Sequence, residues 1–530
     1  MEVGAENFAR CLPRLRRRIL RASFVALDME FTGLHSTSLQ NNEPSLFDSP
    51  AERYVKARQS VQRFTPVQLG KCGSDTESVF PRYVVHSYNF FLFPSTLGIR
   101  DVEFTLSASS IQFLSHYGFD FNKFLKDGIP YMNEVQERIL RQRLLAGTWK
   151  VCSCANRDVL KKAIDEVTSW ITAAEEGDTM ILQDLNGYHM LEVQLVLRQA
   201  LKNVWTEPLG DKKVMVKKVS PQRRQLLENS SYDHCRKKLI LLSARGFTNL
   251  FLILVKAKKP LVGHNMLMDL MHLHDKFYRP LPESYEEFKR NIHNLFPVII
   301  DTKTVIKSVQ KKCLFPRVSS LLEVYAVLCS SNLNPKGPPC PVIAVANGCS
   351  RYAEKKSPHE AGYDAFLCGS VLLMSAHLLL CRSTDDAVEA EAFSQYLTVL
   401  AEHVNKVNFI RGGVSSINFS GEDAPCRHPP ALVVHVRGWP GLTEKQIYQE
   451  FKAHCRFDVR RLSKNQFILL SNKYKQVRLV LREYRHHPHL QVSVYRHWRH
   501  SPSVNCLLQI SGIVALWSLL AFVLGGARSC

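Results

Sequence analysis

Asp28 and Glu30 lie in an apolar segment, Phe24–Thr32, whose other residues predict a buried β-strand. Because side chains on a strand alternate between its faces, the two carboxylates point to the same side, roughly 7 Å apart, and the apolar residues beside them point to the other. Carboxylates at that spacing either repel each other or bind metal ions. An Asp-x-Glu pair also occurs on ordinary surface strands, so further residues are needed to assign it.

A third acid follows a short apolar strand near Gly263. Asn265 and Asp269 are four residues apart in a helix that we expect to begin near Asn265, which places both on one face of it. Asp269 can then face the end of the strand while Asn265 caps the helix. Capping alone is the other explanation for Asn265.

A fourth acid follows a strong helix-start signal. Ser357 as N-cap, Pro358 as first helical residue and Glu360 as capping-box acid predict a helix here. His359 would lie in its frayed first turn, and Asp364 five residues further on would be about 140° around the helix from it. The histidine would then act from a mobile position; a histidine that only forms local hydrogen bonds is the alternative.

Four acids with a histidine five residues before the last resemble the DEDDh class of 3′-to-5′ exonucleases. More narrowly, the sequence resembles the poly(A)-specific ribonuclease (PARN-like) family in the segments Asp28–Leu34, Phe119–Phe124 with Gly128–Tyr131, Gly263–Asp269, Asp301–Lys303 and His359–Asp364. With the apolar C-terminal segment described below, it is similar to the membrane-anchored branch of that family, which matures piRNA precursors. The resemblance covers about 1–150 and 236–410 as one split exonuclease domain, and it implies an RNase H-like α/β fold.

The residues themselves suit metal-assisted phosphodiester hydrolysis. Two divalent ions about 4 Å apart stabilise both the attacking and the leaving oxygen of such a reaction. Hard oxygen ligands favour two Mg²⁺ ions, or Mn²⁺, over zinc. We assign Asp28 as the bridging ligand, with Glu30, Asp269 and Asp364 completing the metal site, and His359 as the general base because its ordinary pKa is near 6.5.

Two neighbouring residues leave alternatives open. Asp301 also ends an apolar strand, so it replaces Asp269 as the fourth carboxylate if the helix spacing is wrong; otherwise it caps the helix that follows. Phe31 could stack on a terminal base, but the alternation that exposes the two acids buries it, which favours core packing.

Composition limits the class of protein. A chain of 530 residues with 45% hydrophobic content is expected to form about two to four domains. The net charge of +21 favours a polyanion or an acidic membrane surface as partner. Fifteen cysteines without a Cys-x-x-Cys pair favour a reducing cytosolic setting over a disulfide framework. The arginines at 14 to 18 predict a basic surface turn before the first strand rather than a secretory leader.

Residues 504–524 predict a transmembrane tail anchor. These 21 residues carry no charge, and at about 1.5 Å per residue they are long enough to cross a ~30 Å hydrocarbon layer. Arg496 and Arg499 in front of them favour the cytosolic side for everything upstream. A buried helix is the alternative, because four polar residues weaken the signal. The endoplasmic reticulum and the mitochondrial outer membrane both stay open.

The remaining segments predict accessory domains. Residues 431–500 predict the βαββαβ order of a small α+β domain like an RNA-recognition motif, and they carry fourteen lysines and arginines against four acids. Its third strand keeps only Phe467 of the usual aromatic pair, so we expect a basic platform for RNA phosphates or anionic lipid, or a plain structural domain, rather than sequence reading. Residues 151–235 stand where the family has a single-strand-binding module but lack its Arg-x-x-x-His signature. Residues 411–430 are predicted to be a linker.

The sequence therefore predicts a metal-dependent 3′-to-5′ exoribonuclease on a mixed sheet flanked by helices, which releases 5′-mononucleotides from RNA 3′ ends. The resemblance implies PIWI-bound piRNA precursors as substrate, with PIWI-type proteins and a Tudor-domain adaptor as partners at a membrane. Poly(A) tails of mRNA are the alternative substrate. A catalytically inactive, membrane-tethered RNA-binding scaffold and a proofreading-type DNA exonuclease are the hypotheses from other classes; the presence of all five site residues argues against the scaffold.

Overall fold

A computed structural model of the protein describes all residues except 36–43, 78–81, 96–101, 148–153, 186, 210–212, 314, 319, 331–340, 350, 384–392, 426–428, 438–441, 454–456, 472 and 527–530. The chain divides into two compact units. The larger unit consists of Met1–Asn42, Ala57–Asn408 and Asn418–Glu422, and the smaller unit consists of Glu43–Lys56, Phe409–Ile417 and Asp423–Cys530.

The strands are β1 (Glu2–Val3), β2 (Phe24–Phe31), β3 (Pro66–Glu77), β4 (Arg82–Pro94), β5 (Ile129–Tyr131), β6 (Thr179–Leu182), β7 (Val204–Pro208), β8 (Val214–Lys218), β9 (Leu261–Gly263), β10 (Ile299–Asp301), β11 (Val342–Val345), β12 (Lys406–Asn408), β13 (Ser416–Asn418), β14 (Leu432–Val436), β15 (Asp458–Arg461), β16 (Gln466–Leu470) and β17 (Leu490–Val494).

The helices are α1 (Ala5–Arg21), α2 (Pro50–Arg63), α3 (Ala108–His116), α4 (Phe121–Asp127), α5 (Glu134–Ala146), α6 (Cys154–Ala173), α7 (Gly187–Ala200), α8 (Pro221–Glu228), α9 (Ser231–Arg245), α10 (Thr248–Ala257), α11 (Leu267–His272), α12 (Tyr285–Leu295), α13 (Thr302–Lys312), α14 (Leu321–Cys329), α15 (Arg351–Glu354), α16 (Ala361–Ser383), α17 (Phe393–Val399), α18 (Glu444–Lys452), α19 (Tyr474–Glu483), α20 (His497–His500) and α21 (Pro502–Gly526). A π-helical turn, Leu273–Tyr278, follows α11, and Ala401–His403 and Tyr484–His486 are short 3₁₀ helices.

The larger unit is built on a mixed sheet, as predicted. Its strands follow the order β1-β4-β3-β2-β9-β10, and β5 and β11 also pair with β4. β3 is antiparallel to both β2 and β4, whereas β9 is parallel to both β2 and β10. β2 is therefore an interior strand: it pairs with β9 at Val25 and Ala26, and with β3 along its whole length, including Asp28 and Glu30.

Helices cover both faces of this sheet. On one face, α16 packs its apolar residues against Phe24 and Ala26 of β2, and the alternation of the strand puts Asp28 and Glu30 on this same face. On the other face, aromatic rings join the sheet to the helices: the ring centroids of Phe90 in β4 and Phe247 before α10 lie 5.3 Å apart. The flanking helix layers that the sequence predicted are confirmed.

The N-terminal arginines lie in a helix, so the predicted surface turn is wrong. Phe8, Leu15 and Ile19 recur on one face of α1 and are buried, while the arginines between them occupy the other faces. The period of the apolar residues therefore decides the structure here, and the basic residues are accommodated on the outside of the helix.

The start of α16 is fixed by tertiary contacts and differs from the prediction. Its first residue is Ala361, so Ser357 and Pro358 precede the helix instead of starting it. The predicted capping box is absent because Glu360 turns away from the helix and accepts a hydrogen bond from Tyr352 Oη at 2.5 Å. A contact with a residue on another element has replaced the local cap.

Gly70 allows α16 to begin directly against the sheet. A Cβ atom at this position would lie 1.8 Å from the carbonyl oxygen of Ala361. Gln68, on the same strand, accepts a hydrogen bond from the Ala361 N–H at 2.9 Å. Because Gly70 pairs with Asp28 across the β2–β3 ladder, this close approach brings the first turn of α16 over the strand acids.

The helix that carries Asp269 also begins later than predicted. α11 starts at Leu267 with Met266 as N-cap, so capping by Asn265 is wrong. Asn265 has a φ of 59°, in the left-handed region, and its Oδ1 accepts a hydrogen bond from Asn408 Nδ2 at 2.8 Å.

Asp301 supplies the missing cap. Its fully buried carboxylate accepts hydrogen bonds from four backbone N–H groups: those of Asn265 at 2.8 Å, Met266 at 3.2 Å, Lys303 at 2.9 Å and Asn408 at 2.9 Å. The predicted cap of α13 is confirmed, and the same side chain also holds the turn before α11. Because a carboxylate offers about four lone-pair positions, these donors leave little room for a cation, which argues against Asp301 as a replacement ligand.

The segment between α5 and α9 has its own small core. β6, β8 and β7 form an antiparallel sheet in that order, and apolar residues of α6 and α7 pack on it. Arg198 joins this sheet to α9: its guanidinium lies 3.7 Å from the ring centroid of Trp205 and 2.8 Å from Asp233 Oδ1.

The smaller unit contains the six elements predicted for 431–500, in the predicted order. β14, α18, β15, β16, α19 and β17 form an antiparallel sheet of order β15-β16-β14-β17 with both helices on one core. Phe467 of β16 belongs to that core and is fully buried. The assignment to the RNA-recognition-motif fold stays a prediction.

Two further segments of the chain complete the smaller unit. Asp458 of β15 accepts hydrogen bonds from the Leu46 N–H at 2.5 Å and the Ser45 Oγ at 3.2 Å, and Arg411 lies 2.9 Å from its other oxygen. Residues 43–56, which are far away in sequence, and residues 409–417, which come shortly before them, therefore belong with the C-terminal elements.

Two apolar helices raise the question of membrane insertion. Among the described residues, one helix, Ala361–Arg382, is long and apolar enough to cross a membrane, and most of its apolar stretch is buried inside the protein. This is the central helix α16. Cys506–Phe522, within α21, is a shorter apolar helix.

Replacing Gly70 by Ala is expected to destabilise the larger unit by about 1–3 kcal/mol, because the added Cβ overlaps the backbone of α16. Gly73→Ala is the matched control on the same strand, since its Cβ would meet no atom closer than 3.7 Å. Urea unfolding of both variants checks this. Equal stability of the two variants would show that α16 does not need the close approach.

Candidate active site

The four carboxyl groups predicted from the sequence lie close together in the larger unit. Asp28 and Glu30 come from β2, Asp269 from α11 and Asp364 from the first turn of α16. Burial, and then repulsion from Asp364, Asp269 and Glu30, hold the pKa of Asp28 well above its ordinary value. Burial, and then repulsion from Asp364 and Asp269, do the same for the pKa of Glu30.

Asp269 and Asp364 are perturbed in the same direction. Burial, with repulsion from Asp301, raises the pKa of Asp269 to about 7, although the backbone N–H of Met29 partly offsets it. Burial also raises the pKa of Asp364 to about 7, against a hydrogen bond from the His359 N–H to its Oδ2 at 3.0 Å. The two strand acids and the two helix acids therefore share one electrostatic environment.

This cluster is short of positive charge. In the described part of the chain, no lysine or arginine lowers the pKa of any of the four carboxyl groups. One oxygen of Asp269, Oδ1, is buried and has no hydrogen-bond partner among the described residues. Converging carboxylate oxygens, one of them without a donor, suit hard divalent cations.

His359 reaches the cluster from a turn and not from a helix. Its φ of 62° places it in the left-handed region just before α16. One potential ligand atom each from Glu30, His359 and Asp364 lie within 4.8 Å of one another. The predicted separation of about 140° around a helix is therefore wrong, because the turn brings the imidazole back to the acids. Burial lowers the pKa of the half-buried His359.

Phe31 takes the packing role that the strand pattern favoured. It is buried, and its ring stacks on His272 with centroids 4.2 Å apart, on the face of β2 opposite the acids. It is therefore not available to stack on a base.

Sequence reasoning missed three features of the site. Cys368 lies one helical turn after Asp364, fully buried, where burial and repulsion from the acids raise the pKa of its thiol. Phe113 and Tyr117, at the end of α3, contact the ring of His359. Gly70 had a sequence signal, since a glycine inside a strand often marks a close backbone approach; the other residues had none.

Known proteins resemble this chain over most of its length. Residues 3–372 match the CAF1 family ribonucleases. The poly(A)-specific ribonuclease PNLDC1 of Mus musculus is 58% identical over 529 residues, covering 99% of each chain. The protein of that name from Homo sapiens is 57% identical over 514 residues, covering 96% of this chain and 98% of its own. The pre-piRNA 3′-exonuclease trimmer of Bombyx mori is 28% identical over 528 residues, covering 98% and 96%.

These matches agree with what the residues and the sheet indicate. The family match spans the mixed sheet and all four clustered acids. The predicted resemblance to PARN-like ribonucleases and the predicted RNase H-like α/β class are confirmed, and the scaffold hypothesis loses its support because the relatives are named ribonucleases. This chain belongs to the CAF1 family of ribonucleases.

Proposed function

We propose that this protein is a divalent-cation-dependent 3′-to-5′ exoribonuclease that trims the 3′ ends of piRNA precursors held by PIWI-type proteins. The observation that carries the proposal is the convergence of four carboxyl groups, Asp269 buried and the other three half-buried, with one imidazole at the end of β2. The Bombyx mori relative is named a pre-piRNA 3′-exonuclease, and it matches this chain over 98% of its length.

The residues that would hold the cations are Asp28, Glu30, Asp269 and Asp364. Their oxygens favour Mg²⁺, or Mn²⁺. When bound, two such ions supply positive charge for the attacking and the leaving oxygen of the scissile phosphodiester. The chain's own part is to hold the carboxylates together against their repulsion and to keep this end of the sheet rigid.

His359 is the residue that accepts the proton of the attacking water. Burial lowers its pKa, so the imidazole is neutral at pH 7 and can take up a proton. Its backbone N–H is bonded to Asp364, which ties the position of the base to one of the proposed cation ligands. Cleavage then releases a 5′-mononucleotide.

Deadenylation of mRNA is the second candidate function. The mouse and human relatives, at 58% and 57% identity, are both named poly(A)-specific ribonucleases. The catalytic groups are the same for either substrate, so the choice depends on how the RNA is presented. A Tudor-domain adaptor on the same membrane is the partner we propose for presenting PIWI-bound RNA.

The smaller unit is proposed to bind phosphates and not bases. Phe467 is fully buried in its core, so it cannot stack on a base. The exposed face of α19 carries Lys475, Arg478 and Arg482 at helical spacing, a basic stripe that fits a polyanion.

Insertion of α21 into a membrane is proposed from its surface. The helix spans Pro502–Gly526, and its large apolar side chains face outward: Leu507 is 66% exposed, Trp517 69% and Phe522 83%. Such a continuous exposed apolar surface is costly in water and fits a hydrocarbon layer. The endoplasmic reticulum and the mitochondrial outer membrane are both compatible with it.

The nuclease proposal is tested with 5′-labelled RNAs that end in mixed sequence or in oligo(A), together with a DNA of the mixed sequence. We expect stepwise shortening of RNA in Mg²⁺, none in EDTA, background activity for Asp28→Ala, and a loss of about 10²- to 10⁴-fold for His359→Ala. Glu283→Ala, an exposed loop acid, is the matched control and should retain full activity.

Three outcomes of that assay contradict the proposal in different ways. Shortening restricted to oligo(A) ends identifies a deadenylase. Equal shortening of DNA identifies a DNA exonuclease. Full activity of Asp28→Ala shows that the catalytic site lies elsewhere.

Cation binding is expected to depend on pH. The pKa values of Asp269 and Asp364 rise from 3.8 to about 7, so the cation-free folded state binds protons more tightly than the unfolded state, and its stability falls as pH rises from about 4 to 7. Protons compete with cations for these carboxylates. The increase in melting temperature caused by Mg²⁺ should therefore be larger at pH 8 than at pH 5.5.

Thermal melting with EDTA or Mg²⁺ at both pH values measures this difference. Asp364→Asn should lose most of the Mg²⁺ effect, whereas Glu283→Ala should keep it. A Mg²⁺ effect that does not change with pH would show that the clustered carboxyl groups are not where the cation binds.

Flotation of the full chain with liposomes tests the membrane proposal. Leu516→Arg with Leu519→Arg should abolish flotation, because each charge in a hydrocarbon layer costs about 2.5–3.5 kcal/mol. Leu226→Arg alters a side chain that is 75% exposed on α8 and should float like the unaltered protein. Failure of the unaltered chain to float would show that α21 has another partner.

A further inference from the structure

Two aromatic side chains surround the imidazole of His359. The ring centroid of Phe113 lies 4.6 Å from that of His359 at an interplanar angle of 67°, and the ring centroid of Tyr117 lies 4.3 Å from it at 57°. The two aromatic rings also contact each other, with centroids 4.9 Å apart at 61°. The three rings form one mutually packed triangle beside the acids.

The backbone alone does not orient this imidazole. His359 lies in a turn, and its hydrogen bond to Asp364 uses the backbone N–H, so that bond fixes the main chain and leaves rotation about the side-chain bonds free. Close contacts between rings restrict that rotation because aromatic pairs have preferred geometries. The aromatic pair therefore packs on the ring in the position where the imidazole lies close to Glu30 and Asp364.

The helix that carries Phe113, and ends just before Tyr117, is packed against the protein core. Leu114, between the two aromatic residues, is 1% exposed and packs with Val67 and Phe124. At the start of α3, the Ser107 N–H donates to the carbonyl of Thr32 at 2.8 Å, directly after the strand that carries two of the acids. The rings that hold His359 are thus linked to the strand on which the acids lie.

We propose that Tyr117 is a positioning residue for the proton-accepting His359, acting with Phe113. The proposal rests on the proposed function, because it assigns Tyr117 a role only if His359 takes part in the reaction. Tyr117 has the closer ring and adds no charge to the acids. It is 42% exposed, so one side of the ring packs on the imidazole while the other faces solvent.

Steady-state kinetics of the full chain on a single-stranded RNA 3′ end tests this. Tyr117→Ala should lower kcat by about 10- to 100-fold, because a misplaced base costs rate more than affinity, and should leave KM within about twofold. Tyr117→Phe keeps the ring and should restore kcat to near that of the unaltered protein. Leu106→Ala, an exposed residue just before α3, is the control and should change neither value.

A double-mutant cycle separates positioning from direct contact with RNA. In a His359→Ala background, Tyr117→Ala should cause no further loss, because there is no imidazole left to position. A rise in KM that persists in that background would show that Tyr117 stacks on a base and would overturn the proposal. Unchanged kcat in Tyr117→Ala would also overturn it.

The cycle also distinguishes this proposal from the one on which it rests. If His359→Ala has full activity while Asp28→Ala has none, His359 is not the base and the proposed proton transfer fails, although the carboxylate site stands. If His359→Ala is inactive and Tyr117→Ala is unaffected, only the positioning role fails. Melting temperatures of all variants confirm that they are folded.

Discussion

The withdrawal of four neighbouring carboxyl groups from solvent is the constraint on which the rest of the larger unit depends. Two unit charges 4 Å apart repel by about 4 kcal/mol at the effective dielectric constant of a protein near its surface. Burial first, and then repulsion from neighbouring acids, raises the pKa values of all four groups: Asp28, Glu30, Asp269 and Asp364. The fold must therefore hold together groups that would otherwise separate.

Three features of the larger unit keep these carboxyl groups from moving apart. β2 pairs with β3 along its whole length and with β9 at Val25 and Ala26, so its acids belong to a strand in the interior of the sheet. Two residues of β3 fix the start of α16: Gly70 leaves room for the backbone of Ala361, and Gln68 accepts a hydrogen bond from the Ala361 N–H. Asp301 holds the turn before α11 by accepting hydrogen bonds from the N–H groups of Asn265 and Met266. Asp301 and Asp269 show how environment divides roles: the first is surrounded by N–H donors, and the second has an oxygen without one.

The sequence predicted the elements better than their ends. The strand acids, the mixed sheet and the six elements of 431–500 follow from side-chain alternation and apolar period, which are local. Both helix starts at the site were misplaced, because Glu360 bonds to Tyr352 and the N–H of Asn265 bonds to Asp301, 36 residues away. His359 was predicted to lie in the first turn of α16 and instead precedes the helix, because the helix begins later than predicted. Its two aromatic neighbours, Phe113 and Tyr117, are distant from it in sequence. Contacts between residues far apart in the chain produce no periodic pattern in the sequence.

The membership of residues 43–56 and 409–417 in the smaller unit has a practical consequence for dissecting the protein. A stop codon placed after the larger unit would remove Asp458, whose carboxylate accepts a hydrogen bond from the N–H of the buried Leu46. The shortened chain would then expose an apolar side chain in the connection that follows β2. Low yield or aggregation of that chain would therefore say nothing about the nuclease itself. Point substitutions in the full-length chain avoid this aggregation, whereas C-terminal deletions cause it.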